Sequence, residues 1–171
     1  SLSNGDNITI ADGATSGSVV SSIPADEDAH LDATSTSASI SSASGGNFEN
    51  LVVDTAAAST TITDTVDTTT VSLTASSSIT EADTAITYTA TLTNAANGAV
   101  TVSLSNGDSI TIADGATSGS VVSSISADED VHLDATSTSA SISSASGGNF
   151  ENLVVDTTAA STTITDTVDT T

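Results

Sequence analysis

Thr70-Val71-Ser72-Leu73-Thr74-Ala75 and Ile86-Thr87-Tyr88-Thr89-Ala90-Thr91-Leu92 decide the fold. In both stretches apolar and polar residues alternate one for one, the period of a strand with one buried face, and no 3.6-residue stripe competes with it. The same alternation continues outward through Val100/Val102/Leu104 and Ile110/Ile112. Asn97-Gly98, Asn106-Gly107 and Asp114-Gly115 punctuate it with residues that tolerate the positive φ of tight hairpins. Further short strands are expected over 120–125, 131–135, 139–143, 153–155 and 162–165. Seven or eight strands in about 100 residues, separated by frequent turns, predict an all-β chain built as immunoglobulin-like β-sandwich repeats in tandem. The Cys…Trp…Cys signature of antibody domains is missing, since the chain has neither residue.

Laying Ser1 on Ser103, an offset of 102 residues, aligns 1–69 with 103–171 and leaves four differences: Asn7/Ser109, Pro24/Ser126, Ala29/Val131 and Ala56/Thr158. A period this long exceeds that of solenoid units, so each copy should carry its own core and behave as a bead in an array. The stretch 63–70 is polar and lacks alternation, which marks it as a linker. On that phase, 70–171 is a complete domain and 1–69 a partial one lacking its first strands. The partial copy is expected to leave apolar surface exposed where counterparts of Val71, Ile86, Tyr88 and Leu92 would pack.

The 171 residues include 22 Asp and Glu and no Lys or Arg, for a formal net charge of -22. Nucleic-acid binding begins with Lys or Arg neutralising phosphate, so nucleic acid is excluded as a partner. No apolar run reaches the 18 residues that suggest a membrane helix, and no direct membrane insertion is expected. Hydrophobic residues make up 36% but aromatics only 2%, leaving Phe48, Tyr88 and Phe150 as the large rings of a thin aliphatic core. With no cysteine for disulfides, metal is the remaining staple for so small a core.

Asp and Glu oxygens are hard ligands of the kind calcium takes, six to eight at a time. The densest cluster is Asp128, Glu129 and Asp130 with Asp134, copied as Asp26, Glu27 and Asp28 with Asp32. Two carboxylates about 4 Å apart repel by roughly 4 kcal/mol at an effective dielectric of 20, so such a cluster favours a cation over a bare solvated loop. A second set would join repeats: Asp64 and Asp67 close one, copied as Asp166 and Asp169, while Glu81 and Asp83 lie in the first loop of the next. Glu151 with Asp156, copied as Glu49 with Asp54, is either a third site or a pair of turn acids. The spacings do not fit an EF-hand, and Asp6, Asp12, Asp108 and Asp114 read as hairpin-turn residues.

His30 and His132, one per repeat and without cysteine, make a poor zinc site and are expected as hydrogen-bonded surface residues. Asn7-Ile8-Thr9 fits a glycosylation acceptor, but its copy has Ser109, so the match reads as chance. The chain is not expected to be an enzyme. No Lys is present to activate a serine, and the aromatics that would line a sugar cleft are lacking.

Thr70–Ala75, Ile79-Thr80-Glu81-Ala82-Asp83 and Ile86–Thr93, with Ile110–Ser120, Gly147–Leu153 and Thr163–Asp169, resemble the calcium-binding Ig-like extender repeats of giant RTX adhesins. Biofilm adhesins and an ice-binding adhesin of Antarctic marine origin are of this kind. The resemblance implies type I secretion, display on a bacterial cell surface, and calcium bound within and between domains. No Gly-Gly-x-Gly-x-Asp nonapeptide occurs, so this is not the family's secretion block. The expected function is that of a monomeric structural spacer whose partners are neighbouring repeats of the same chain. A calcium-dependent glycan-binding or homophilic adhesive module is the alternative.

Overall fold

The computed structural model of the chain describes residues 1–25, 27–32, 35–126 and 137–167. Among these residues all regular structure is β-strand, and no helix is long and apolar enough to cross a membrane. The chain divides into two compact units, one of Ser1–Glu27 with Asp32–Thr65, the other of Asp28–Leu31 with Val66–Thr171.

In the first unit β1 (Ser35–Ala38) pairs antiparallel with β2 (Ala58–Thr61), and Leu2 bridges Ile40. Among the described residues the second unit holds ten strands: β3 (Thr68–Ala75), β4 (Ser78–Thr80), β5 (Ala85–Leu92), β6 (Val100–Leu104), β7 (Ser109–Ile112), β8 (Ser118–Ser124), β9 (Ser137–Ala140), β10 (Ile142–Gly147), β11 (Asn152–Val155) and β12 (Ala160–Thr165). They form a four-stranded sheet in the order β11-β3-β5-β8 and two three-stranded sheets, β10-β6-β7 and β4-β12-β9. The sheets close as a β-sandwich over one core. Val71, Leu73, Ile86, Tyr88, Ala90 and Leu92 enter it from the four-stranded sheet, and Val100, Val102, Leu104, Ile110, Ile112 and Ile142 from the others. The alternation of buried and exposed positions along β3, β5, β6 and β7 is the alternation of the sequence.

Three departures from the sequence reading have physical causes. The strand expected from Val71 begins at Thr68, because Thr69 is buried and its hydroxyl accepts a hydrogen bond from Asn94 Nδ2 at 3.0 Å. The single strand expected over 139–143 is two. β9 follows β12 as far as Ala140↔Ala160, and the chain then crosses at Ser141 to pair as β10 with β6. Ser141 is held at the crossing by Ser105, whose backbone N–H donates to its carbonyl at 2.9 Å and whose hydroxyl accepts from its N–H at 3.1 Å. The short β4 went unforeseen, since only Ile79 in it is apolar and half-buried. The strand expected over 131–135 lies outside the described residues. Gly98, Gly107 and Gly115 all adopt positive φ, as their hairpin positions require.

The two repeats act as an internal control on the core. β1 with β2 repeats the register of β9 with β12, and the Leu2–Ile40 bridge repeats the Leu104–Ile142 pairing, so these contacts follow from the shared sequence. Their surroundings differ. Ile10 is 57% exposed, whereas its copy Ile112 is fully buried. Nothing in the first unit corresponds to β3 and β5, and Ile8, Ile10 and Ile40, the copies of buried Ile110, Ile112 and Ile142, are exposed there.

Truncating Ile112 to Ala should therefore cost about 2–5 kcal/mol, the range for a buried large-to-small change. The same change at Ile10 should stay within about 0.5 kcal/mol. Urea unfolding followed by Tyr88 fluorescence measures the first, and followed by far-ultraviolet circular dichroism the second.

Candidate functional site

The carboxylates meet backbone and hydroxyl donors, since the chain offers no Lys or Arg. Glu81 is 5% exposed and lies directly after β4. Its Oε1 accepts from the Thr167 backbone N–H at 2.8 Å and from the Thr167 hydroxyl at 2.5 Å, while its own N–H donates to Thr165 O at 3.1 Å. Thr165–Thr167 is where the chain leaves β12, so Glu81 ties the first strands of the unit to its last. Asp83 folds back on the same turn. Its Oδ2 accepts from the Thr80 N–H at 2.8 Å and the Thr80 hydroxyl at 2.9 Å, and these bonds hold its pKa below the ordinary carboxylate value.

At the other end of the unit Glu151 Oε2 accepts the Asp67 N–H at 2.6 Å, and Asn152 Nδ2 donates to the Thr68 hydroxyl at 3.0 Å. Two parallel ladders separate these ends: β11 pairs with β3 from Asn152↔Thr68, and β12 pairs with β4 to Thr165↔Thr80. The path 68–80 therefore runs beside 152–165 without reversing. Of the acids expected to join repeats, Asp67 and Glu81 flank this path at opposite ends, with Asp83 beside Glu81 and Asp166 between Thr165 and Thr167. Asp64 belongs to the first unit.

Glu151 and Asp156 bracket β11 and are engaged separately. Asp156 Oδ1 accepts the Thr158 N–H at 2.9 Å, and Thr158's hydroxyl and N–H together lower its pKa. Asp54 makes the same bond to the Ala56 N–H, also at 2.9 Å, so this small turn is written into the local sequence. Glu49 is exposed in the counterpart of the Glu151 turn. Glu27 accepts the Thr65 hydroxyl within the first unit, and Asp32 is half-buried there. Asp28 caps the His30 N–H at 2.6 Å. Asp26, Asp128, Glu129, Asp130, Asp134 and Asp169 lie outside the described residues. Among the described residues no three acidic or histidine side chains converge to hold a metal.

Asp108 and Asp114 are bound into turns: Asn106 Nδ2 donates to Asp108 Oδ2 at 2.8 Å, and the Gly98 N–H to Asp114 Oδ1 at 2.7 Å. Tyr88 is a buried ring of the core, and burial followed by the charge of Asp108 pushes its phenol pKa up. Thr167 and Thr65, the hydroxyl partners of Glu81 and Glu27, escaped the sequence reading. A threonine among so many carries no signal of its own.

These features belong to a β-sandwich repeat with Glu151 near one end and Glu81 and Asp83 at the other. The chain matches the LapA domain profile twice, over residues 1–65 and again over 67–167, and so belongs to the LapA domain family. LapA is a large adhesin of Pseudomonas biofilms, which gives the chain an adhesin-related role at the cell surface. A comparison with curated proteins gave no match.

Both Asp83 and Asp156 have folded-state pKa values below the ordinary 3.8. A lowered value means stability that is present above that pH and lost as pH falls through the folded value. Asp83→Ala and Asp156→Ala should each flatten the loss of stability below about pH 4, a change read from urea midpoints across an acid series.

Proposed function

We propose that the chain is part of the extender of a secreted bacterial adhesin, a run of immunoglobulin-like repeats that carries a distal binding domain away from the cell. The observation that supports this best is the strand path of the second unit. The chain comes in at Thr68 beside Asn152 and leaves at Thr165 beside Thr80, at the far end of two parallel ladders. At about 3.3 Å per strand residue, 68–80 spans roughly 40 Å. A module whose ends lie that far apart adds length with each copy, whereas one with adjacent ends would not. Near-identity over 69 aligned residues, with four differences, fits growth of such an array by duplication.

Calcium is the proposed counter-ion. A net charge of -22 with no Lys or Arg needs cations from outside, and the donors are the hard oxygens calcium takes. The acidic segment 26–32 with its copy 128–134, and the repeat-closing residues Asp64, Asp67, Asp166 and Asp169 with Glu81, Asp83 and Glu151, are the proposed ligand pool. At a dissociation constant near 0.1 mM and about 10 mM free calcium, each site would add roughly 2.7 kcal/mol. That is a large share of what holds a small domain together.

Excess EGTA should accordingly lower the melting temperature, with magnesium restoring little of it because it sheds water reluctantly. An unchanged melting curve in EGTA would remove calcium from this account.

The extender reading itself is tested by length. Scattering from chains of two, four and six repeats in calcium should show the maximum dimension rising by about 40 Å per repeat. Growth with only the square root of repeat number would indicate freely jointed beads. Calcium-dependent self-association in ultracentrifugation would favour an adhesive module instead.

A further inference from the structure

Asp28-Ala29-His30-Leu31 belongs by sequence to the first repeat, yet it packs as part of the second unit. There it forms a one-residue antiparallel bridge, His30 opposite Phe150. The Glu151 N–H donates to Ala29 O at 3.2 Å, and the Leu31 N–H to Asn149 O at 3.1 Å. The His30 ring stacks on Phe150 with centroids 5.4 Å apart and planes 23° from parallel. Its Nε2–H donates to Ala95 O at 2.9 Å. Asp28 shapes the segment from within, Oδ1 accepting the His30 N–H at 2.6 Å and standing 3.3 Å from His30 Nδ1. Ala29 is buried as a result.

The surface that receives these four residues is built by the second unit's own strands. Asn149 holds a positive φ of 49°, and a Cβ on Gly147 would lie 2.2 Å from Ala99 O, so the turn is packed tightly on the start of β6. The Asn97 N–H donates to Gly148 O at 3.1 Å, which fixes the loop carrying Ala95 against the same turn. In the first repeat the corresponding turn keeps its shape, with Asn47 at φ 51°, but Phe48 is 67% exposed where Phe150 is 8%. Part of that difference is Val100, which lies under the second turn and has no counterpart in the first unit. The His30 ring stacks on Phe150 as well.

β8 ends at Ser124 opposite Ala85, and β9 begins at Ser137 opposite Thr163, so the β8–β9 connection starts and finishes at the end where the chain leaves the unit. Residues 28–31 are the first repeat's copy of that connection. The receiving turn lies at the opposite end, beside Thr68 and Asn152, where the chain comes in.

We propose that the Gly147–Glu151 turn, together with Ala95, is a recognition site for the Asp-x-His-Leu segment of the preceding repeat, which it takes up by a short strand addition. Backbone bonds supply the docking, and the ring stack with the His30–Ala95 bond supplies register. The bonds named here all run between protein groups, so the proposal goes beyond the calcium-loaded spacer, while Asp28 and Glu151 also belong to the proposed ligand pool.

The chain has two histidines, so a His132→Gln variant assigns the His30 signals unambiguously. In the 171-residue protein, nuclear Overhauser contacts are expected between the His30 ring protons and the Phe150 ring, and they should vanish in Phe150→Leu while the remaining core signals persist. In a second variant, His30→Cys with Phe150→Cys, the opposed positions of an antiparallel bridge fall within disulfide reach. Air oxidation of this otherwise cysteine-free chain should give an internally closed monomer. Absence of the ring contacts in the unaltered chain, or cysteines that stay free or bridge only between molecules, would overturn the proposal.

Discussion

Closure of the sandwich by β3 and β5 is the constraint on which the second unit depends. Val71 and Leu73 on one strand, with Ile86, Tyr88, Ala90 and Leu92 on the next, place a continuous apolar face over the residues contributed by the rest of the repeat. The first unit displays those other residues without that face. Local pairings survive there, because β1 and β2 need only each other, but Ile8 and Ile10 remain at the surface where their copies Ile110 and Ile112 are buried. Hydrogen-bonded strands are therefore not enough to bury this sequence's side chains. Its residues are small, and only two opposed sheets remove them from water together.

Around that core the chain handles charge without a basic side chain. Each carboxylate whose bonds are described above is met by an N–H or hydroxyl within a turn or at a strand end, as Asp83 is by Thr80, Asp156 by Thr158, Glu151 by the Asp67 backbone and Glu81 by Thr167. Hydrogen bonds to a charged acceptor are stronger than neutral ones, which is why abundant Ser and Thr can stand in locally for Lys and Arg. They do not change the sum. A dipole at short range stabilises its own carboxylate but leaves the repulsion among 22 acids intact, and that long-range term is what mobile or bound cations must screen.

The sequence was readable where the information is local. Alternation in Val71/Leu73 and Ile86/Tyr88/Ala90/Leu92 places β3 and β5 on the right faces, and Asn106-Gly107 places the β6–β7 hairpin. It was not readable where a partner lies far along the chain. The parallel ladders of β3 with β11 and β4 with β12 join residues 84 or more positions apart, and β4 by itself has too little apolar pattern to announce a strand. The switch of sheets at Ser141 depends on Ser105, and burial of Glu81 depends on Thr167. Both look like ordinary polar residues until the ends of the repeat are brought together. The acids were visible as a class from composition; which end of the unit each occupies followed only from the strand path.

Three of the four differences between copies show which bonds the sequence can alter freely. At 56/158 alanine replaces threonine, yet the donor to the preceding aspartate is the backbone N–H in both, at 2.9 Å. The turn survives because the side chain is incidental to it. At 7/109 asparagine replaces serine on the surface, and Asn7 accepts the Ser1 hydroxyl at 2.9 Å, a bond on which no core residue depends. At 29/131 alanine and valine alternate in the segment that docks beside Phe150, where the carbonyl rather than the side chain of Ala29 makes the bond to Glu151. The flanking Asp28, His30 and Leu31 are unchanged in their copies, as are Gly45 to Glu49 and Gly147 to Glu151. The side chains that make this contact are thus the same in both copies, while position 29 lends it only backbone.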